Sequence, residues 1–171
     1  MALWKNGSFT TDSWRTIAEG EDAPPAGHVI LPLEWWLQER DAFVNSNAPI
    51  GVRIDPGTPI ESYIDDLPRF ALVALAFPKF GDGRAFSTAA LLRERHGFTG
   101  EIRAVGDVLI DQIQMMERCG FDSFDITDTT TVRLLRTRGA PAYSRFYQPA
   151  TGDAGDAESN AGSRPWARRK A

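Results

Sequence analysis

Phe70-Ala71-Leu72-Val73-Ala74-Leu75-Ala76-Phe77 is an unbroken apolar octet, closed by Pro78. A short run with no polar member fits a strand covered on both faces, as in a parallel sheet; its length favours strand over helix, and the proline ends it. Reading outward in both directions gives the same alternation of strand and helix. Downstream, the spacing predicts a helix with Ser87 as N-cap, Ala89 to Arg95 as body and Gly97 as stop. Glu101 to Val105 reads as a strand, and Gly106-Asp107 leads into a helix from Val108 to about Cys119, with Leu109, Ile113 and Met116 as its inner stripe. Phe121 to Ile126 is another strand, after which Asp128 caps a helix carrying Val132, Leu134 and Leu135 and ending at Gly139. Upstream, Ile50 to Ile54 is a strand ended by the turn Asp55-Pro56-Gly57. Repeated βα units of this length mean right-handed crossovers and an α/β fold: a small, mainly parallel sheet of about four strands flanked by helices. A half-barrel has the same local pattern, and four units are too few to close a (β/α)₈ barrel without a partner.

Further out, Leu3-Trp4-Lys5, Asn6-Gly7 and Ser8-Phe9-Thr10 spell an N-terminal β-hairpin, because Asn-Gly accepts the positive φ values of a type I′ turn. Trp4 and the nearby Trp14 pack there as a lid, the alternative being an aromatic binding surface. Glu19 to Gly27 is acidic, rich in Pro and Gly, and reads as a loop. Pro32 to Val44 has helical spacing, with Pro32 at the first position; adjacent Trp35 and Trp36 must point to different faces, one inward and one partly exposed. After Gln148 the composition turns to Gly, Ala, Asp and Ser with a basic end, so residues 1–148 read as one domain and 149–171 as a disordered tail.

Composition narrows the function classes. The chain has 171 residues, 42% hydrophobic and 25% charged, with a formal charge of −4, ordinary for a globular protein and unlike a general nucleic-acid binder. One cysteine, Cys119, excludes an internal disulfide, a CxxC redox pair and a Cys₄ metal site within the chain. Its place at a helix C-terminus opposes a thiolate, so an unreactive, half-buried thiol is expected. The first residues turn polar at once, without the apolar core of a secretory leader, and the apolar octet is about half a membrane span. The expectation is a cytoplasmic protein with no membrane segment.

No catalytic motif stands out, so topology nominates the site. Ligands of open parallel sheets bind beyond the carboxyl ends of the strands, an edge that here collects Asp55, then Lys79, Asp82 and Arg84, then Asp107, then Thr127 or Asp128. In the loop Pro78-Lys79-Phe80-Gly81-Asp82-Gly83-Arg84 the glycines permit a tight turn, and Lys79 and Arg84 offer cationic donors to an anion or an acidic partner. The plain alternative is that Asp82 pairs with Arg84 or Lys79 to hold the turn. Asp107 and Asp111, one helical turn apart, could divide acid and base roles; the structural alternative has Asp107 capping its helix and Asp111 facing solvent or an arginine. Neither a phosphate-cradling Gly-Lys-Ser/Thr loop nor a dinucleotide GxGxxG is present, so no cofactor and no metal site is expected.

The run Phe77-Pro78-Lys79-Phe80-Gly81-Asp82-Gly83-Arg84-Ala85-Phe86-Ser87, with Leu91-Leu92-Arg93, Gly97 through Gln112, and Arg118-Cys119-Gly120-Phe121-Asp122-Ser123-Phe124, resembles a bacterial family of unknown function. Its members carry the label of oxidoreductases involved in sulfite reduction, and their coding regions often lie beside those of the sulfite reductase haemoprotein and phosphoadenylyl-sulfate reductase. The resemblance spans roughly Leu3 to Gln148, is dense from Phe77 to Phe124, and marks Lys79, Asp82, Arg84, Arg103, Asp107, Asp111, Gln112 and Arg118, without established roles. It implies sulfur assimilation, while the catalytic part of the label finds no cofactor-binding pattern to rest on. The expected function is therefore an accessory protein of assimilatory sulfite reduction, a non-catalytic partner of sulfite reductase. The alternative is an enzyme or carrier holding a small anion, a sulfur oxyanion or phosphate, with Lys79, Asp82, Arg84, Arg103 and Gln112 as binding residues and Asp107 or Asp111 as the proton-transfer group. A homodimer through Trp35 or Trp36 is the third reading.

Overall fold

In the computed structural model, which describes residues 2–17, 27–43, 48–79 and 81–141, the apolar octet is strand β6 (Phe70–Phe77), an interior strand of the sheet. The other strands are β1 (Ala2–Lys5), β2 (Ser8–Thr10), β3 (Trp14–Thr16), β4 (His28–Pro32), β5 (Ile50–Ile54), β7 (Glu101–Gly106) and β8 (Ser123–Ile126). Their order is β2-β1-β8-β7-β6-β5-β4-β3, and the sheet curls into a half-barrel. From β3 to β8 every neighbouring pair is parallel, whereas β1 runs antiparallel to both β2 and β8. Among the described residues four helices accompany it: α1 (Leu33–Glu39), α2 (Arg84–Glu94), α3 (Ile113–Arg118) and α4 (Thr129–Arg138).

The expected four parallel strands are present as β5 to β8, and the half-barrel is the form they take, but the sheet is twice as wide. The hairpin extends one side, with Asn6 at φ 52° and Gly7 at φ 75° forming its turn and Trp4 opposite Phe124 across the β1–β8 seam. On the other side β3 and β4, which the sequence reading did not identify, continue the parallel ladder. β3 has only three residues, and in β4 the apolar run Val29-Ile30-Leu31 is too brief to distinguish strand from buried helix by period. Pro32 therefore closes β4 and caps α1 instead of opening a helix, and a 3₁₀ segment, Arg40–Phe43, follows α1. Trp36 points inward and is fully buried while Trp35 stays half-exposed. The acidic loop expected at 19–27 lies almost wholly outside the described residues, as do Val44, Phe80 and the tail at 149–171.

Two helices differ from expectation. α2 starts at Arg84, three residues before Ser87, with Gly83 as its N-cap; just ahead of it the Asp82 carboxylate accepts a hydrogen bond from the Arg84 amide at 3.2 Å. α3 starts only at Ile113, because Gly106 (φ 102°) turns the chain sharply and Val108 drops into the core at 1% exposure.

All four helices pack on one face of the sheet. Leu33 and Trp36, Ala89 and Leu92, Ile113 and Met116, and Leu135 share a core with Val52, Val73, Leu75, Ile102, Ala104 and Phe124. The other face carries only a small cluster of Ile30, Leu72 and Ala74, with Trp14 and Val105 against it. Parallel sheets normally have both faces covered. Among the described residues, no helix covers this one.

Candidate functional site at the strand ends and the open sheet face

The parallel ladders bring the carboxyl ends of β5 to β8 to one edge. The Asp107 amide donates to the Phe77 carbonyl at 2.8 Å, seating the loop after β7 against the end of β6. Thr127 Oγ1 donates to the Gly106 carbonyl at 3.4 Å, joining the loop after β8 to the same place. The Arg84 guanidinium lies over Gly57 in the turn after β5, so closely that a Cβ on Gly57 would sit 2.6 Å from Nη1. Asp55, Lys79, Arg84, Asp107 and Thr127 thus lie along one edge of the sheet.

Their states differ. Lys79 and Asp107 are exposed. Asp82 grips Arg84 through Nε at 2.9 Å and Nη2 at 2.6 Å, and these bonds hold its carboxyl below the usual carboxylate range. The turn-holding alternative for Asp82 is therefore the observed one. Asp128 caps α4 by accepting from the Thr131 amide. The pairing of Asp107 and Asp111 on one helical face does not occur: both precede α3 in the turn that Gly106 and Val108 impose, and neither caps that helix. Gln112 is the N-cap residue of α3, its Oε1 accepting from the Leu109 amide at 3.4 Å. Cys119 is half-buried, and burial pushes its thiol up, Arg118 opposing this only in part.

Arg103 is not on the rim. It sits in the middle of β7 on the open face, 2% exposed. The ladders place Pro32, Arg53, Ala74, Arg103, Ser123 and Lys5 in one row across that face. Ala76, Val105 and Asp125 form the row nearer the rim, and Thr16, Ile30, Gly51, Leu72 and Glu101 the row below. Glu101 takes two hydrogen bonds from the Arg103 guanidinium, at 2.9 and 3.1 Å, and one from Lys5 at 2.7 Å. Burial pushes the Glu101 carboxyl up, but Lys5, Ser123 and Arg103 together outweigh it and hold the group low. Arg103 Nη1 also donates to Asp12 at 2.7 Å, and the other Asp12 oxygen accepts from the Trp14 amide at 3.0 Å. The buried cation is thereby matched by two carboxylates, as a buried charge must be. Through Asp12 it also ties the segment that carries Trp14 to the centre of the sheet.

Between these groups lies a pocket of about 460 Å³, floored by Ala74, Ala76 and Val105 and walled by Trp14, Arg53 and Asp125. Gly51 makes room for the indole: a Cβ there would meet Trp14 and Ile30 at 3.1 Å. Pro78, Gly106 and Thr127 border the same pocket, so it runs up to the strand-end rim. Asp125 is half-buried, and burial pushes its carboxyl up against the opposing pull of Arg103. Arg53 is half-exposed and pairs with Asp55 at 3.2 Å. Sequence reasoning passed over Arg53, Asp12 and Asp125. Arg53 had a signal: it is a charged residue inside an otherwise apolar strand of a parallel sheet, where continuous apolarity is the rule.

Among the described residues there is no group of three or more His, Cys, Asp or Glu placed to hold a metal ion, and no helix is long and apolar enough to cross a membrane. Compared with known proteins, residues 51–156 match the model of a family described as "Bacterial protein of unknown function (DUF934)". That span takes in β5 through α4, and with them the rim and most of the pocket floor. No curated protein and no solved structure matches the chain.

Proposed function

The chain belongs to the DUF934 family of bacterial proteins, and we propose that it is a cytoplasmic accessory protein of assimilatory sulfite reduction, a non-catalytic partner that presents its strand-end rim to sulfite reductase. The observation that carries this reading is the convergence of four strand ends on one rim where Lys79 and Arg84 are exposed beside Asp55 and Asp107. Exposed mixed charges of this kind set orientation and encounter rate between two proteins more than they set affinity. The sulfur-assimilation context comes from the resemblance of residues 77–124 to proteins labelled for sulfite reduction. The test is a titration of immobilised sulfite reductase haemoprotein with the full chain and with a Lys79→Ala, Arg84→Ala variant, melting curves confirming that the variant folds. Saturable binding that weakens about tenfold in the variant is expected, since two exposed charge contacts worth about 0.2–1 kcal/mol each together supply roughly the 1.4 kcal/mol of a tenfold change. Absence of binding at micromolar concentration would overturn the reading.

A second reading, a carrier or enzyme holding a small anion at the strand ends, is favoured by one observation: the pocket on the open face reaches the same rim. In that reading Asp107 or Asp111 moves a proton and Lys79 or Arg84 holds the anion. Saturable thermal stabilisation by sulfite, sulfate, thiosulfate or phosphate that disappears in Arg84→Ala is its expected signature.

A further inference from the structure

The open face of the half-barrel carries a separate site, independent of docking on the reductase. We propose that the pocket on this face binds a flat, largely apolar organic anion: its ring system lies on Ala74, Ala76 and Val105 beside Trp14, its acidic group meets Arg53, and a hydrogen-bond donor on its far end meets Asp125.

The floor makes the case first. Ala74 and Ala76 are 1% and 3% exposed although, among the described residues, no helix lies over them. They are shielded by their curled neighbours, and their small side chains are what leave the depression open. At about 460 Å³ the volume falls within the 300–1,000 Å³ range of small-molecule sites, and a mostly apolar lining with a few polar groups is their usual make-up. A flat body suits a floor of alanines with an indole at its side, because stacked or edge contacts with Trp14 need a π-face. Arg53 lies in the row of Ala74 and on the strand beside it. Its pairing with Asp55 is solvated, with side-chain exposures of 50% and 59%; such a pair contributes little, so its guanidinium is free to turn to a better acceptor. Arg103 is the opposite case. With its guanidinium bonded to Glu101 and Asp12, it is a positioning residue that fixes Asp12 and thereby Trp14. Asp125 lies three strands from Arg53, on β8, and one row nearer the rim, so a ligand that reaches both must be an extended one, with its two polar ends apart.

The test uses two dyes: 6-anilinonaphthalene-2-sulfonate, which has linked aromatic rings with the sulfonate and the anilino N–H at opposite ends of the naphthalene, and its uncharged analogue N-phenyl-2-naphthylamine. Dye fluorescence is titrated on the full-length chain, with melting curves as the control for folding. One saturable sulfonate site per chain is expected. Ala74→Leu, which fills the floor, should weaken both dyes at least tenfold. Arg53→Gln should weaken the sulfonate about tenfold, the size of one charge-assisted hydrogen bond, and leave the uncharged dye unchanged. Unsaturable binding, or a folded Ala74→Leu variant that binds like the parent, would overturn the site; equal loss of both dyes in Arg53→Gln would overturn its anion preference. Failure of the reductase titration leaves these outcomes untouched, so the two proposals fail separately.

Discussion

Tyr63 shows how a single side chain fixes a measurable property. It is 1% exposed, and its hydroxyl finds no hydrogen-bond partner among the described residues. Burial, aided by the charge of Glu61, pushes its pKa up from 10.0 to about 12. Between these values the unfolded chain releases the proton while the folded chain keeps it. The associated stability is therefore fully present below pH 10 and is lost as pH climbs toward 12, by about 3 kcal/mol at 1.36 kcal/mol per unit. Tyr63→Phe should flatten this alkaline loss in denaturant titrations and hold or raise stability at pH 7 by about 1 kcal/mol, since it deletes an unsatisfied buried hydroxyl. An unchanged alkaline slope would contradict the assignment. At this scale the sequence was legible where a side chain acts on near neighbours, as Asp82 does on Arg84 and Asp128 on Thr131. It was not legible where the partner lies far along the chain: Arg93 donates to the Gly120 carbonyl and pairs with Asp122, contacts that exist only once the sheet has assembled.

The turn after β7 is the element on which the rim depends. Gly106 adopts φ 102°, and a Cβ there would stand 2.4 Å from the Phe77 carbonyl oxygen, a backbone atom that cannot move aside cheaply. Gly106→Ala should destabilise the fold by about 3 kcal/mol or more, from left-handed strain and the clash together, read as a drop in melting temperature. Gly97→Ala, also at positive φ but with open space around it, should cost clearly less. Elements were readable from sequence where a period or a turn signal is strong: β5 to β8, the Asn-Gly hairpin, and the Gly139 stop of α4. They were unreadable where length is the only cue, as in the three residues of β3. The shortening of α3 escaped because Val108 and Leu109 keep helical spacing while tertiary burial of Val108 removes them from the helix.

For the molecule as a whole, the alternation of strand and helix made the α/β class and the half-barrel legible, but not the width of the sheet or its one-sided cover. The continuous apolarity of β6 suggested cover on both faces. Among the described residues helices cover one, and the second face of β6 is shielded by the curl of the sheet, by Trp14 and by the Arg103 network. A rim of four converging loops is an arrangement that a partner could meet end-on, with the helices left facing solvent. Hydrogen–deuterium exchange of the full chain with and without sulfite reductase haemoprotein measures this directly. Exchange should slow in peptides covering residues 78–84, 106–108 and 127–128 and stay unchanged along the outer faces of α2 and α4. Protection on those helices with none at the three loops, or no protection anywhere at saturating reductase, would contradict it.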